Sequence, residues 1–162
     1  MYDSRTLSSR LVRGYRWWKT ADLPEDYQVL LQQLLCEYLE DYECALPRYV
    51  RSTLQPLSRF RNALLVVKRS WLAEDHATMS EYVKLFEAGA DFPPLVHSAS
   101  GLEDGYHRGN ALLRLGWQHY YVIEMNDLAA ISRGRVRIPK RYNAPRKRSS
   151  ARRQRPVSHA VH

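Results

Sequence analysis

Residues 101–116 read GLEDGYHRGNALLRLG and carry the strongest local structural signal of the chain. Asp104-Gly105 indicates a turn, and the apolar spacing that follows predicts a helix from about His107 to Leu115. Gly116 is placed to end this helix in the left-handed conformation that glycine adopts without strain. Leu102-Glu103, just before the turn, is predicted to be a short return strand. The stretch therefore predicts a strand, a tight turn and a helix whose first turn carries a histidine and an arginine.

The flanking segments extend this unit into a small α+β domain. Ala63–Val67, Leu95–His97 and Tyr120–Ile123 are short apolar runs, which predict buried strands. A helix pattern runs from Met79 to Phe86 and is closed by Gly89. Strands and helices mixed in this order are typical of an α+β fold, which we assign to residues 62–132.

Residues 1–61 are predicted to form an N-terminal helical segment. The basic and aromatic stretch 1–20 is compatible with a short helix that packs its tryptophans on the core. A strong i, i+3, i+4 pattern then predicts an amphipathic helix from about Asp22, a plausible cap, to Pro47. Residues 48–62 contain a central proline and are predicted to be broken helix or loop. The aromatic side chains of this segment are suited to stacking on bases, but their place on the apolar stripe favours core packing or contact with another protein.

The positive charge is concentrated at the C-terminal end. The chain has 162 residues and a net charge of +8; from Arg133 onward it has 11 Lys/Arg and no Asp/Glu, whereas residues 1–132 have 14 Lys/Arg and 17 Asp/Glu. Residues 133–162 are therefore predicted to be a basic, disordered tail that binds the phosphate backbone of a nucleic acid. The alternative is a tail that increases solubility or binds a protein partner. The candidate nucleic-acid-binding residues are Lys140, Arg141, Arg146, Lys147, Arg148, Arg152, Arg153 and Arg155.

Two further expectations concern the environment of the protein. Cys36 and Cys44 fall in one predicted helix, where they would lie about 12 Å apart and beyond disulfide reach, so free thiols are expected. The longest apolar run, Ala63–Val67, is far shorter than a membrane-spanning helix, and the N-terminal residues lack the apolar region of a secretory signal. A cytoplasmic protein with no membrane association is the resulting prediction.

The turn at residues 104–109 combines groups that suit an anion. The N-terminus of a helix presents unpaired N–H groups and a partial positive charge, and Arg108 would add a planar cation that orients a phosphate. His107 can donate a hydrogen bond or carry a proton. Gly105 allows close backbone approach and Gly109 keeps the first turn uncrowded. Asp104 is suited to capping the helix, holding Arg108 or ligating a divalent ion; the simplest alternative is a cap beside a surface arginine.

These residues carry a resemblance to a known superfamily. The acid followed by Asp104-Gly105, one residue and His107-Arg108 resembles the signature of the ParB/sulfiredoxin superfamily. The helix that ends at Gly89 and the strand after Pro93-Pro94 are similar to that superfamily as well. The resemblance covers about residues 62–126 and includes minimal plasmid- or phage-type members known as ParB-like nucleases or phosphate-binding domains.

The resemblance implies a compact fold that binds nucleotide or nucleic-acid phosphate at the turn. Asp104, Gly105, His107 and Arg108 are the corresponding phosphate-site residues, with His107 and Asp104 as catalytic candidates for nuclease or NTP-hydrolysing activity. ATP or CTP with Mg²⁺ would be the cofactor. Tyr106 stands where sulfiredoxins have their cysteine, which argues against sulfinic-acid reduction. The Gly-Glu-Arg-Arg type motif and helix-turn-helix domain of the partition proteins are missing, which argues against a centromere-binding clamp.

Other readings of the sequence belong to different functional classes. The main alternative is a non-enzymatic interaction or inhibitor protein of a mobile element, which would bind a host protein through its N-terminal helix and tail. Phosphoryl transfer of a kinase-like type is a third. No metal site is predicted, because the spacing of His97, His107 and His119 matches no common ligand pattern. Glu103 and Asp104 are adjacent on an extended segment, so at most one of them faces the turn.

Overall fold

The computed structural model describes residues 9–140 as one mixed six-stranded sheet packed with five helices. The α+β prediction is confirmed. The strand order is β1-β2-β3-β6-β4-β5, and every pair is antiparallel except β4 with β6. The strands are β1 (Ser9–Val12), β2 (Tyr15–Lys19), β3 (Tyr49–Pro56), β4 (Leu95–Ser98), β5 (Gly101–Asp104) and β6 (His119–Glu124). The helices are α1 (Glu25–Leu39), α2 (Arg61–Lys68), α3 (Ala73–Glu87), α4 (Tyr106–Arg114) and α5 (Met125–Ser132).

Helices cover both faces of the sheet. Neighbouring strand residues point to opposite faces, so each strand contributes to both cores. Val96 and Ile123 pack with α1 and α5 on one face, whereas Leu95 and Val122 pack with α2, α3 and α4 on the other. The predicted boundary between residues 61 and 62 falls at the start of α2. The sheet itself crosses that boundary, since β3 pairs with β6.

The prediction of a short helix over residues 1–20 is wrong for the part that the structure describes, although the tryptophans do pack in the core. Residues 9–19 form the hairpin β1–β2, and Trp17 and Trp18 are buried on opposite faces of β2. Arg13 and Gly14, the two residues of the turn, both have positive φ angles of 51° and 82°, as a tight hairpin turn requires. Residues 49–56, predicted to be broken helix or loop, are β3. Aromatic and β-branched residues favour strands, and the proline only ends β3.

The predictions of a long first helix and of free thiols are also wrong. Helix α1 ends at Leu39, and Glu40 adopts a left-handed conformation that reverses the chain. The return brings Cys44 back to Cys36, with a Cα–Cα distance of 5.5 Å, and the two form a disulfide. The 12 Å estimate failed because it assumed an unbroken helix.

One further prediction fails in the middle of the chain. Residues 63–67 belong to α2 and not to a strand, since only Leu64 of this run is fully buried while Leu65 and Val66 are partly exposed. That pattern of burial is helical. Helix α5 had no predicted counterpart. By contrast, β4, β5, α4 and β6 lie where the sequence predicts them. Helix α3 contains the predicted helix from Met79 to Phe86 but begins six residues earlier, at Ala73.

Candidate functional site

A cleft of about 480 Å³ lies where the N-terminal turns of three helices converge. Asp26 and Tyr27 come from the start of α1, Asp75 from the start of α3, and Gly105–Arg108 from the start of α4. Each helix N-terminus carries a partial positive charge, so the first turns of three helices around one hollow favour an anionic ligand. The remaining lining residues are Asp104 and five apolar or aromatic residues: Leu30, Val67, Trp71, Tyr82 and Pro93.

Arg108 forms the floor of this cleft. Its side chain is only 8% exposed, and its Nη2 donates to Asp104 Oδ2 and to the carbonyl oxygen of Pro94, at 3.0 and 3.1 Å. Its Nε is buried and has no hydrogen-bond partner among residues 9–140. Burial opposes the charged form, but the Asp104 carboxylate keeps the pKa of Arg108 above its ordinary value. The guanidinium is therefore a fixed cation with an unused donor.

Helix α1 supports this cation from the other side. The Tyr27 hydroxyl donates to the same Pro94 carbonyl at 2.7 Å, and the Tyr27 ring lies 5.9 Å from Arg108 Cζ. A cation over an aromatic face is attracted to it, and more so when both are buried. Arg108 is thus held by α1, by the segment before β4 and by Asp104 at the end of β5.

Gly105 shapes the turn that places α4. Its φ of 103° is a conformation that other residues adopt only under strain, and a Cβ there would collide with the side chain of the fully buried Leu95. The same Cβ would lie 3.2 Å from Arg108 Nη2. Glycine is therefore required both for the turn and for the approach of the backbone to the guanidinium.

His107 is held at the edge of the cleft by two side chains. Its Nε2 lies 3.0 Å from Asp75 Oδ1, and its ring stacks on Trp71 with centroids 4.9 Å apart. The hydrogen bond with His107, followed by one from the backbone N–H of Leu72, lowers the pKa of Asp75. A carboxylate that fixes a histidine ring in this way is the arrangement used in proton transfer.

Each carboxylate of the cleft has a donor nearby. Asp26 accepts from the N–H of Tyr27 at 2.9 Å, Asp75 from Leu72 and His107, and Asp104 from Arg108. A divalent metal would have to compete with all of these donors, and residues 9–140 contain no group of three His, Cys, Asp or Glu arranged to hold one. Helix α4, in contrast, has no side-chain cap, so its first N–H groups remain available. The donor set therefore fits a phosphate oxygen better than a bare metal ion.

The structure brings most of the predicted site residues together. Asp104, Gly105, His107 and Arg108 all line the cleft. Gly109 does not; it is buried against Leu64 of α2, where a Cβ would lie 2.7 Å from Leu64 Cδ2. Of the roles considered for Asp104, the contact with Arg108 is observed, whereas the N-cap position is occupied by Gly105.

The predicted nucleic-acid-binding residues lie elsewhere. Lys140, the last residue that the structure describes, is exposed and is not part of the cleft. The other seven fall outside the described residues: Arg141, Arg146, Lys147, Arg148, Arg152, Arg153 and Arg155.

Sequence reasoning missed the partners that reach the site from other helices. Tyr27 and Asp75 are 81 and 32 residues away from Arg108 and His107. Asp75 had one local signal, since an acid at the third position of a helix commonly accepts a hydrogen bond from the residue before the helix. Tyr27 had none beyond its place on the apolar stripe. That stripe packs into the core through Leu31 and Leu35, which leaves less of α1 available for a protein partner.

Two of the other residues considered for chemistry are engaged in local contacts. His97 Nδ1 lies 2.6 Å from Glu124 Oε2, and Glu103 accepts from the hydroxyl of Ser98 at 2.6 Å. Neither His97 nor Glu103 lines the cleft. Each of these two residues thus has a structural role away from the cleft.

Within residues 9–140 no helix has the length and apolarity needed to cross a membrane. Comparison of the chain with known protein families, with curated proteins and with solved structures found no match.

Proposed function

We propose that this protein binds the phosphate of a nucleotide or of a nucleic acid in the cleft at the start of α4. The observation that carries the proposal is Arg108, a buried and rigidly held guanidinium whose Nε has no partner among the described residues, at the uncapped start of a helix. The resemblance of residues 62–126 to the ParB/sulfiredoxin superfamily points to the same turn.

The geometry assigns separate tasks to the parts of the ligand. The uncapped N–H groups at the start of α4 and the Arg108 guanidinium receive the phosphate, because both supply donors and positive charge at the same turn. The aromatic walls, Tyr27, Trp71 and Tyr82, receive the sugar or base by stacking and apolar contact. Asp104 already neutralises much of the charge of Arg108. The cleft therefore selects among anionic ligands by the placement of its hydrogen-bond donors more than by net charge.

Hydrolysis of the bound phosphate ester is the catalytic form of the proposal. His107, oriented by Asp75, transfers a proton between the attacking water or leaving group and solvent. Arg108 stabilises the negative charge that develops on the phosphate, and Asp104 positions Arg108. Mg²⁺ bound with ATP or CTP would neutralise further charge. The basic segment that begins near Lys140 contributes contacts to the phosphate backbone when the ligand is a nucleic acid.

The binding site is tested by calorimetric titration of the full chain with ATP, CTP and inorganic phosphate. Arg108→Met is expected to reduce nucleotide binding at least about tenfold, since a charge-assisted hydrogen bond is worth about 1.5–3 kcal/mol. Arg114→Met is the matched control, because Arg114 lies on the same helix but is exposed. Equal affinities of the Arg108 variant and the wild-type protein, with both folded by circular dichroism, would reject the site.

Catalysis is tested separately with labelled ATP, CTP and DNA in the presence and absence of Mg²⁺. His107→Asn is expected to remove turnover while it leaves nucleotide binding within a few-fold of the wild-type value. No turnover in the wild-type protein would reduce the proposal to binding alone. Turnover that survives the His107 substitution would instead assign proton transfer to another group.

A further inference from the structure

The folded body has a strongly cationic face that is separate from the cleft. Three segments, residues 9–19, 48–51 and 131–140, meet in one small core in which Trp17, Tyr49 and Ile131 are buried and Val136 and Ile138 pack against them. These segments contain ten Lys/Arg and no Asp/Glu. We call this surface the cationic face. Arg16 is not part of it, because its guanidinium lies over Trp18 on the opposite side of β2. The nine basic residues of the face are Arg10, Arg13, Lys19, Arg48, Arg51, Arg133, Arg135, Arg137 and Lys140.

The fold creates this face by joining distant parts of the chain. Strand β2 pairs with β3, which sets Lys19 opposite Tyr49 and Trp17 opposite Arg51. Arg10 lies opposite Trp17 on β1, and Arg48 Cζ lies 5.6 Å from the centre of the Tyr49 ring. The segment after α5 then packs Val136 and Ile138 inward. The residues that flank Val136, Arg135 and Arg137, are consequently exposed.

Most of these cations are not neutralised by nearby acids. Arg51 forms an ion pair with Asp127. Six others are exposed and form no ion pair with a carboxylate of residues 9–140: Arg13, Arg48, Arg133, Arg135, Arg137 and Lys140. The rest of the described chain is oppositely charged, since residues 20–47 and 52–130 contain 7 Lys/Arg and 16 Asp/Glu.

We propose that the cationic face is a docking surface for the phosphate backbone of a nucleic acid. A duplex carries one negative charge per about 1.7 Å of its axis, and proteins bind it by placing Arg and Lys against the phosphates. Seven of the nine cations are arginines, whose planar forks suit phosphate oxygens. The face also continues in sequence into residues 141–162, which add seven Lys/Arg and no acid.

The other polyanions fit this face less well. Docking on an anionic membrane normally combines basic residues with apolar side chains that insert, whereas the three segments have Leu11 as their one large exposed apolar side chain. An acidic protein would offer charge at a much lower density than a nucleic acid. No residue of the cationic face lines the cleft, so the proposal does not depend on the cleft. It shares with the proposed function a phosphate-bearing ligand and the basic segment that begins near Lys140.

The test uses the full chain and fluorescence anisotropy with a labelled 20-base-pair DNA duplex and a single-stranded RNA of equal length. The triple substitution Arg133→Gln, Arg135→Gln and Arg137→Gln removes three charges from the face. The matched control, Arg61→Gln, Arg69→Gln and Arg114→Gln, removes three exposed arginines from elsewhere. In the face variant we expect the slope of log affinity against log salt to fall by about 2–3 and binding to weaken about tenfold or more.

The control is expected to keep the wild-type slope. Equal losses in the two triple variants would mean that only net charge matters and would overturn the proposal. The same holds if polyglutamate, or vesicles that contain phosphatidylserine, bind as tightly as the nucleic acids at equal charge. Unfolding curves verify that the face variant remains folded.

Two further variants distinguish binding at the cationic face from binding by residues 141–155 and from binding in the cleft. Replacing the seven Lys/Arg of residues 141–155 by glutamine, in the full-length chain, isolates the contribution of the face. The face substitutions must lower the salt slope in that background too, or the proposal fails. Arg108→Met is expected to weaken nucleotide binding without changing the salt slope for the duplex, so failure of the cleft and failure of the face give different results.

Discussion

The cleft and the cationic face use arginine in opposite ways. In the cleft the Arg108 guanidinium is buried and donates to Asp104 and Pro94, while its Nε has no hydrogen-bond partner among residues 9–140. On the cationic face several guanidinium groups are exposed and form no ion pair with a carboxylate of residues 9–140. A buried charge is costly to desolvate but fixes geometry, whereas an exposed one is screened by salt and attracts any dense anion. The comparison predicts selectivity at the cleft and salt-sensitive affinity at the face.

The distribution of acids sharpens this contrast. Asp26, Asp75 and Asp104 line the cleft, and they would repel the dense charge of a duplex more strongly than a single phosphate, even though each already accepts a hydrogen bond. A small ligand with one phosphate group can approach the start of α4 between them. We therefore expect mononucleotides to compete with one another in the cleft but to leave duplex binding at the face unchanged.

The largest expected effect tests the rigidity of the cleft. Gly105→Ala combines a strained φ with a collision against Leu95, and we expect it to lower the free energy of unfolding by about 3 kcal/mol. Gly101→Ala is the matched control, because its φ of 123° is also strained but its Cβ would meet nothing within 4 Å. Denaturant unfolding measures both. If the two variants are equally destabilised, the tight contact at Gly105 is not what fixes the turn.

The same substitution on the cationic face should be milder. Gly134 lies between α5 and the segment that packs on β2, and its φ is 71° with open space around the missing Cβ. Gly134→Ala is expected to cost about 1 kcal/mol from backbone strain alone. A loss as large as that of Gly105→Ala would show that the two regions are equally rigid and would remove the contrast drawn here.

A second, smaller effect concerns the far end of α1, the helix whose first turn lines the cleft. The disulfide between Cys36 and Cys44 closes a short loop, and its removal by Cys44→Ser is expected to cost about 2–3 kcal/mol. Treatment of the wild-type protein with a reductant should produce the same loss, and the variant should then be insensitive to reductant. Duplex binding at the cationic face should not change. Mass spectrometry after thiol alkylation measures the fraction of oxidised chains, and full alkylation without reductant would contradict the bond.

The parts of the fold that the sequence predicts are those set by local signals. Helix α3 ends just before Gly89, whose φ is 79°, and α4 begins after Gly105 and ends before Gly116. These boundaries follow from residues next to one another. The hairpin β1–β2 was missed because its turn is Arg13-Gly14, where the usual signal is asparagine or aspartate before glycine. The sequence predicts a strand at α2 because a run of five apolar residues suits either structure.

The candidate site likewise has one part that local sequence predicts and another that depends on the packing of distant helices. The contact between Asp104 and Arg108 spans one helical turn and was one of three roles considered for Asp104. Tyr27 and Asp75 reach the site only because α1 and α3 pack near α4, which depends on the whole fold. The cationic face was missed for the same reason. Counting charge along the chain places the excess after Arg133, while the sheet brings residues 9–19 and 48–51 beside it.

The last expected effect is small and concerns Glu124, a carboxylate of intermediate burial. Glu124 is 23% exposed and accepts from His97, Gln55 and Arg59. Burial alone would raise its pKa, but the hydrogen bonds from His97 and Gln55, with that from Arg59, lower the pKa below its ordinary value of 4.5. A lowered carboxylate pKa means that the ionised form stabilises the folded state. This stability is complete above about pH 4.5 and is lost as the pH falls through the lower, folded-state pKa.

Glu124→Gln should therefore remove part of the acid sensitivity of folding. We expect the variant to be less stable than the wild-type protein at pH 7 by about 1 kcal/mol, with the difference shrinking toward pH 3. Denaturant unfolding at several pH values measures this difference. Because Glu124 belongs to neither the cleft nor the cationic face, both nucleotide affinity and the salt slope for duplex binding should stay at wild-type values. A change in either would mean that the sheet couples the two regions, and their separate treatment would then be wrong.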